Sequence, residues 1–302
     1  MIDFSKKYNR LFAIGCSFTH YRGWPTWAAA LSTELNIPLY NLGHSGASNK
    51  YIQSQLFLLD NKYKLTSDDL VITQWTSHAR LSVLGDSFYS DSMQWEHWGP
   101  INDLLGIFTK KREQAIAEII KYQTYNTMLL DSLIAIKSSI LYQNTLPCDC
   151  VNLQMEDVAH EKMLMEDVAN EKTLKISGRL MPSFVSLLYP GYTNYTDVLA
   201  NLTEIHTNDK LPLHSKYRKR NLFLKAKKSN TLYDMHPLPT EHVAYLENIF
   251  DHSFSNTVKQ LAKEDEQKWL NTPADQPKAV HVNRDNTYYK LESLQQVVSL
   301  PG

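Results

Sequence analysis

Ser17 sits in Gly15-Cys16-Ser17-Phe18-Thr19, directly after a short apolar run, and Asp234 and His236 follow together more than two hundred residues later in Asp234-Met235-His236-Pro237. These three residue types can perform acyl transfer. A serine hydroxyl becomes a useful nucleophile once an imidazole accepts its proton, and a carboxylate holds that imidazole in the right tautomer and stabilises the imidazolium. Asp234 and His236, at i and i+2, project the same way from an extended segment, so one short loop can carry both. The three cysteines, Cys16, Cys148 and Cys150, are an odd number in a chain of 302 residues, which argues against a disulfide framework and for a reducing compartment. Cys148-Asp149-Cys150 lacks partners at zinc-site spacing, so no metal centre is expected.

Such a serine must be delivered by a strand and a tight turn. Arg10 to Gly15 reads as a buried strand ending at glycine. Trp24, Trp27, Ala28, Leu31 and Leu35 recur at helical spacing, with Pro25 near the helix start. Pro38 to Leu42 reads as a second strand, Ser48 to Tyr63 as a second helix, and Asp69 to Gln74 as a third strand. This alternation implies a doubly wound parallel α/β sheet. A long helical pattern covers Thr109 to Asn144, and Val151 to Gln154 is a candidate fourth strand. Phe184 to Tyr189 is a further apolar run. One helix is expected from about Thr240 to Ala262, followed by a polar, proline-broken tail from Lys263.

Two stretches stand outside this alternation. Residues 155–164 (MEDVAHEKML) are repeated at once as 165–174 (MEDVANEKTL). Ten residues advance a helix by about 1000°, short of three full turns, so the copies do not share one stripe; an acidic helical extension is expected. Between Lys210 and Lys228 lie eight lysines and arginines, read as a solvated basic loop that could form a rim favouring anionic substrates.

Taken together, the motifs resemble those of the SGNH/GDSL hydrolase superfamily. Gly15-Cys16-Ser17 is similar to its first block, with Ser17 at the nucleophile position. Asn41-Leu42-Gly43-His44-Ser45-Gly46-Ala47-Ser48 resembles the second block, which implies that the Gly46 N–H binds the oxyanion. Asp234-x-His236-Pro237 resembles the last block, which supplies the acid and the base. Three features depart from the pattern: Cys16 stands where the family usually has aspartate, only one residue separates Asp234 from His236, and the third block is Gln74-Trp75-Thr76-Ser77-His78-Ala79-Arg80. That block lacks the asparagine whose side chain normally donates to the oxyanion, and Ser77 aligns best with it, with Gln74 and Thr76 as alternatives. Variants of this kind look like those of uncharacterised members, some carried by bacteriophages.

The resemblance implies a three-layer α/β/α hydrolase with a flavodoxin-like parallel sheet and a helical insertion. The hydrolase domain is placed at 1–262, the insertion at about 85–215 and the tail at 263–302. It implies hydrolysis of a small acyl ester, O-acetyl or short acyl with a carbohydrate as one candidate carrier, through an acyl-Ser17 intermediate, without a cofactor. His44 and His78, on the loops after the second and third strands, are candidate substrate contacts. His20 and Arg22 are read as solvent-facing or capping residues, and His242 as structural. With 31 basic and 32 acidic residues, no whole-chain field draws the protein to nucleic acid or membrane. No apolar run has the length of a membrane span or a signal peptide, which leads to an expected cytoplasmic location. An O-acyltransferase on the same scaffold and a catalytically inactive binding module remain open alternatives.

Overall fold

The computed structural model describes residues 2–21, 24–86, 93–100, 125–157, 180–192, 223–225, 231–233 and 236–270. Of 83–86, 93–100, 125–126, 223–225, 231–233 and 269–270 it describes the backbone alone. Four parallel strands form the central sheet: β1 (Arg10–Ile14), β2 (Leu39–Asn41), β3 (Asp69–Trp75) and, from its place among all the strands of the chain, β6 (Asp149–Gln154). Their spatial order is β2-β1-β3-β6, the flavodoxin-type order over these four positions. The registers pair Leu11 with Leu39 and Leu70, and Ile72 with Val151. Leu11, Phe12, Ala13, Ile14, Leu70, Val71 and Ile72 are fully buried, as expected of strands covered on both faces.

Right-handed crossovers decide which helix covers which face. The chain moves one way across the sheet from β1 to β2 and the other way from β2 to β3, so α1 (Trp27–Leu35) and α2 (Asn49–Tyr63) lie on opposite faces. The helix pairings follow this division: α3 (Tyr125–Gln143) packs on α2, whereas α5 (Pro239–Phe250) and α6 (Asn256–Leu270) pack on α1. The short helix α4 (Phe184–Leu188) packs on α5, with the Phe184 and Tyr245 rings stacked at 3.5 Å.

Some elements differ from the sequence reading. The single helix expected over 240–262 is two helices, because Asp251 adopts a left-handed φ of 49° as the α5 C-cap and the Ser255 carbonyl starts α6 by accepting from Lys259 N. Helix α6 continues to Leu270, inside the stretch expected to be tail, and residues 271–302 lie outside the described residues. The stretch expected to be mostly helical opens with an antiparallel hairpin, β4 (Arg80–Asp86) and β5 (Met93–Pro100), with a register shift at Arg80/Leu81. A second hairpin joins β7 (Phe223–Lys225) to β8 (Thr231–Tyr233) within and just after the basic stretch. The first part of the long helix, most of the acidic repeat, most of the basic stretch, Arg22 and Asp234 lie outside the described residues.

At the N-terminal edge of the sheet, Arg10 and Asp69 occupy paired positions and form a two-bonded fork, Nε to Oδ1 at 2.7 Å and Nη2 to Oδ2 at 2.6 Å. The Asp69 side chain is fully buried. Burial raises its pKa, but bonds from Arg10 and Thr66 outweigh this and hold it below its ordinary value of 3.8. Arg10→Ala leaves a buried carboxylate without its cation and is expected to cost about 3 kcal/mol or more in urea unfolding at pH 7. Since the folded-state pKa is depressed, this contribution is fully present above about pH 4 and is lost as pH falls through the folded value. The stability gap between wild type and Arg10→Ala should therefore narrow below about pH 4.

Candidate active site

The turn that carries Ser17 leaves the C-terminal end of β1, where an open α/β sheet binds ligands. The Cys16 carbonyl accepts from both Thr19 N and His20 N at 3.0 Å, closing the chain into one tight turn around Ser17 and Phe18. Thr19 is its anchor. Thr19 Oγ1 donates to Gln74 Oε1 at 2.7 Å, and the Thr19 carbonyl accepts from Thr26 Oγ1 at 2.6 Å and Asn41 Nδ2 at 2.9 Å. Glycine is needed at two places against this residue. A Cβ on Gly15 would meet Thr19 Oγ1 at 2.1 Å, and one on Gly43 would meet Thr19 Cβ and Cγ2 at 2.9 Å.

Gln74, one of the alternatives weighed for the oxyanion donor, is fully buried at the end of β3. Its Oε1 accepts from Thr19 Oγ1 and from Trp27 Nε1 at 3.1 Å, and because an indole N–H only donates, the amide orientation is determined. Gln74 thus holds the turn that carries Ser17. Gln74→Leu strands two buried donors and is expected to cost about 2–4 kcal/mol, read as a lowered urea midpoint with unchanged slope.

The second loop runs beside the first. His44 N donates to the Gly15 carbonyl at 3.0 Å, and Gly43 N donates to Asn41 Oδ1 at 3.0 Å, so Asn41 ties both loops together. Gly46 has a φ of 80°, a left-handed conformation that favours glycine, and is half-buried at the turn before α2. Ser48 caps α2, accepting from Tyr51 N with its hydroxyl. Asn49 grips the third loop from both sides: its Nδ2 donates to the Thr76 carbonyl at 3.0 Å and its Oδ1 accepts from Thr76 N at 2.9 Å. Asn41 opens the second block and Asn49 follows it directly, and neither carried a role in the motif.

In that third loop Ser77 and His78 are both buried, at 6% exposure each. Ser77 Oγ accepts from Ala79 N at 3.3 Å, which leaves its own proton available for donation. Thr76 Oγ1 is directed to Met155 Sδ at 3.6 Å. His44 is exposed at the rim, and its Nδ1 lies 2.9 Å from the Ser45 carbonyl, so Nδ1 carries a proton that it donates there.

Across the turn lies His236. Its ring stacks on Tyr21 at 4.1 Å and contacts Phe18 at 5.5 Å, and the next residue, Pro237, accepts from Trp24 Nε1 at 2.7 Å. Glu241 accepts from Leu238 N at 2.9 Å and fastens the same loop to the start of α5. His236 is therefore held against the turn that carries Ser17, although no hydrogen bond joins Ser17 Oγ to His236. Ser17 itself is 5% exposed. His242, one turn into α5, is a different kind of histidine. Burial, with a smaller effect from His236, pushes its pKa down to about 3, and its ring lies edge-on to Phe184 at 5.2 Å, so it is a neutral core residue.

Cys148 and Cys150, with sulfurs 3.8 Å apart, lie at the opposite, N-terminal end of β6 and are remote from this site. Among the described residues, no group of three His, Cys, Asp or Glu side chains is placed to hold a metal ion, and no helix is long and apolar enough to cross a membrane.

No family model matches the chain, and no curated protein matches it. Among solved structures it is similar to a protein of the G-D-S-L family, described as lipolytic, from Desulfitobacterium hafniense DCB-2. That similarity has a TM-score of 0.32 and 16% identity, and it covers 62% of this chain and 83% of the other.

Proposed function

We propose that this protein is a serine hydrolase that cleaves a small acyl ester through an acyl-Ser17 intermediate. His236 acts as general base toward Ser17 and then as general acid toward the leaving alcohol, with Asp234 orienting the imidazole. The backbone N–H groups of Ser17 and Gly46 bind the oxyanion, and the Ser77 hydroxyl is a third donor. His44 and His78 border the substrate. The observation that carries this reading is the seating of His236: a ring stack on Tyr21, a contact with Phe18 and the Trp24–Pro237 bond bring a half-exposed histidine to the turn holding Ser17. The family resemblance of the three motifs supports the same roles.

A second reading, an inactive module on this scaffold, is favoured by the Gln74–Arg80 stretch, which has no asparagine to donate to an oxyanion. Labelling with a fluorophosphonate probe separates the two. Covalent capture of the wild type that is lost in Ser17→Ala supports the hydrolase, whereas a folded wild type that resists labelling supports the inactive module.

A further inference from the structure

Arg80 begins β4, immediately after the third loop, at the point where the β4–β5 register shifts. Such a shift re-aims a side chain, and bulges are frequent beside active sites. Its guanidinium is in an unusual state. Nε and Nη1 are buried without any hydrogen-bond partner, and Nη2 reaches only Met155 Sδ, at 3.6 Å. A thioether is a weak acceptor, so among the described residues this permanent cation has no anionic partner.

Two further observations say where that charge lies. Met155 Sδ is also contacted by Cys16 Sγ at 3.9 Å, so Arg80 and the residue preceding Ser17 touch the same atom. Arg80 also lines a small cleft, partly open to solvent, together with Ser48, Asn49, Lys50, His78 and Asp131. Lys50 neutralises Asp131 at 2.6 Å, which leaves the arginine's charge uncompensated there. The first turn of the 15-residue helix α2 faces the same space, adding its positive dipole end.

Leaving a guanidinium buried and unpaired costs a fold several kcal/mol, a cost that is offset when an oxyanion enters and accepts from its fork. We infer that Arg80 binds an anionic group on the substrate, so that the ester cleaved at Ser17 carries a carboxylate or phosphate next to the scissile bond. This rests on the hydrolase reading above for its chemistry, but not for the binding itself.

Two arms test it. In the first, 4-nitrophenyl butyrate and mono-4-nitrophenyl succinate, matched in length and differing in charge, are compared as substrates. Wild type is expected to prefer the succinate ester, and Arg80→Met to lower the succinate-to-butyrate ratio of kcat/KM by about 10- to 100-fold, with Arg80→Lys retaining part of the preference. In the second, thermal unfolding of Ser17→Ala protein is followed with monomethyl succinate or monomethyl phosphate. A rise in Tm that disappears in Ser17→Ala/Arg80→Met supports the site, and the anion giving the larger rise identifies the group. Anion stabilisation that survives loss of Arg80, or none with either anion, overturns the inference. If neither ester is hydrolysed, the hydrolase reading fails while the second arm still decides the role of Arg80. Hydrolysis of both esters without preference leaves the hydrolase standing and removes the anion site.

Discussion

Ser17→Ala is expected to lower turnover of an activated ester by about 10⁴-fold or more and to abolish fluorophosphonate capture, with His236→Ala falling to a similar level. The two losses should not add. In the proposed mechanism Ser17 and His236 share one proton transfer, so once either is removed the other has nothing left to do, and the double variant should match the singles. Steady-state hydrolysis of 4-nitrophenyl butyrate, with circular dichroism to verify folding, checks this. Both side chains are well placed for substitution without collapse: Ser17 Oγ makes no hydrogen bond among the described residues, and His236 is half-exposed. A His236→Ala variant that keeps full activity would remove His236 as the base.

The second large effect is structural. Gly15→Ala places a methyl group 2.1 Å from Thr19 Oγ1 and 2.9 Å from Thr19 Cβ, distances at which something must move. The far wall is rigid, since Thr19 Oγ1 is bonded to buried Gln74 and the Thr19 carbonyl is held by Thr26 and Asn41. Overpacking at so constrained a site is expected to cost about 3 kcal/mol, and a displaced turn removes Ser17 from register with its base. The expected result is a lowered urea midpoint together with activity reduced by about 100-fold or more in the fraction that remains folded. Thr19→Ala removes the hydroxyl that the methyl would strike. Gly15→Ala/Thr19→Ala should then be more stable than the sum of the two single losses predicts, and additivity would show that the methyl acts elsewhere.

Much of the scaffold was legible because its signals are local and strong. The buried strands at Arg10 and Asp69 are continuous apolar runs, and α2 carries its serine cap one residue before its first turn. The break at Asp251 was not legible, because a left-handed cap on a non-glycine residue has no composition signal, and the apolar spacing continues through Val258 and Ala262. The β4–β5 hairpin was not legible either, because Arg80 to Pro100 contains no clean alternation of apolar and polar residues. The site divides in the same way. Ser17, Gly46 and His236 were marked by motif, whereas Gln74 could be seen in the sequence only as a possible donor, and the fold makes its amide the support beneath the turn.

By itself, then, the order of residues determined the chemical inventory: a serine after a strand, a histidine before a closing helix, small residues between them and a run of buried strands that must lie side by side. Those features depend on near neighbours and on period, which a linear chain carries in full. Tertiary structure decided which inventory items meet. It placed His236 against Tyr21 and Phe18, set two asparagines and a glutamine as the frame of three loops, and brought Arg80 and Cys16 into contact with one methionine sulfur. Contacts between residues tens to hundreds of positions apart arise from the crossover geometry of the sheet, which brings the C-terminal ends of β1, β3 and β6 to one edge, and no local pattern in the chain encodes that meeting.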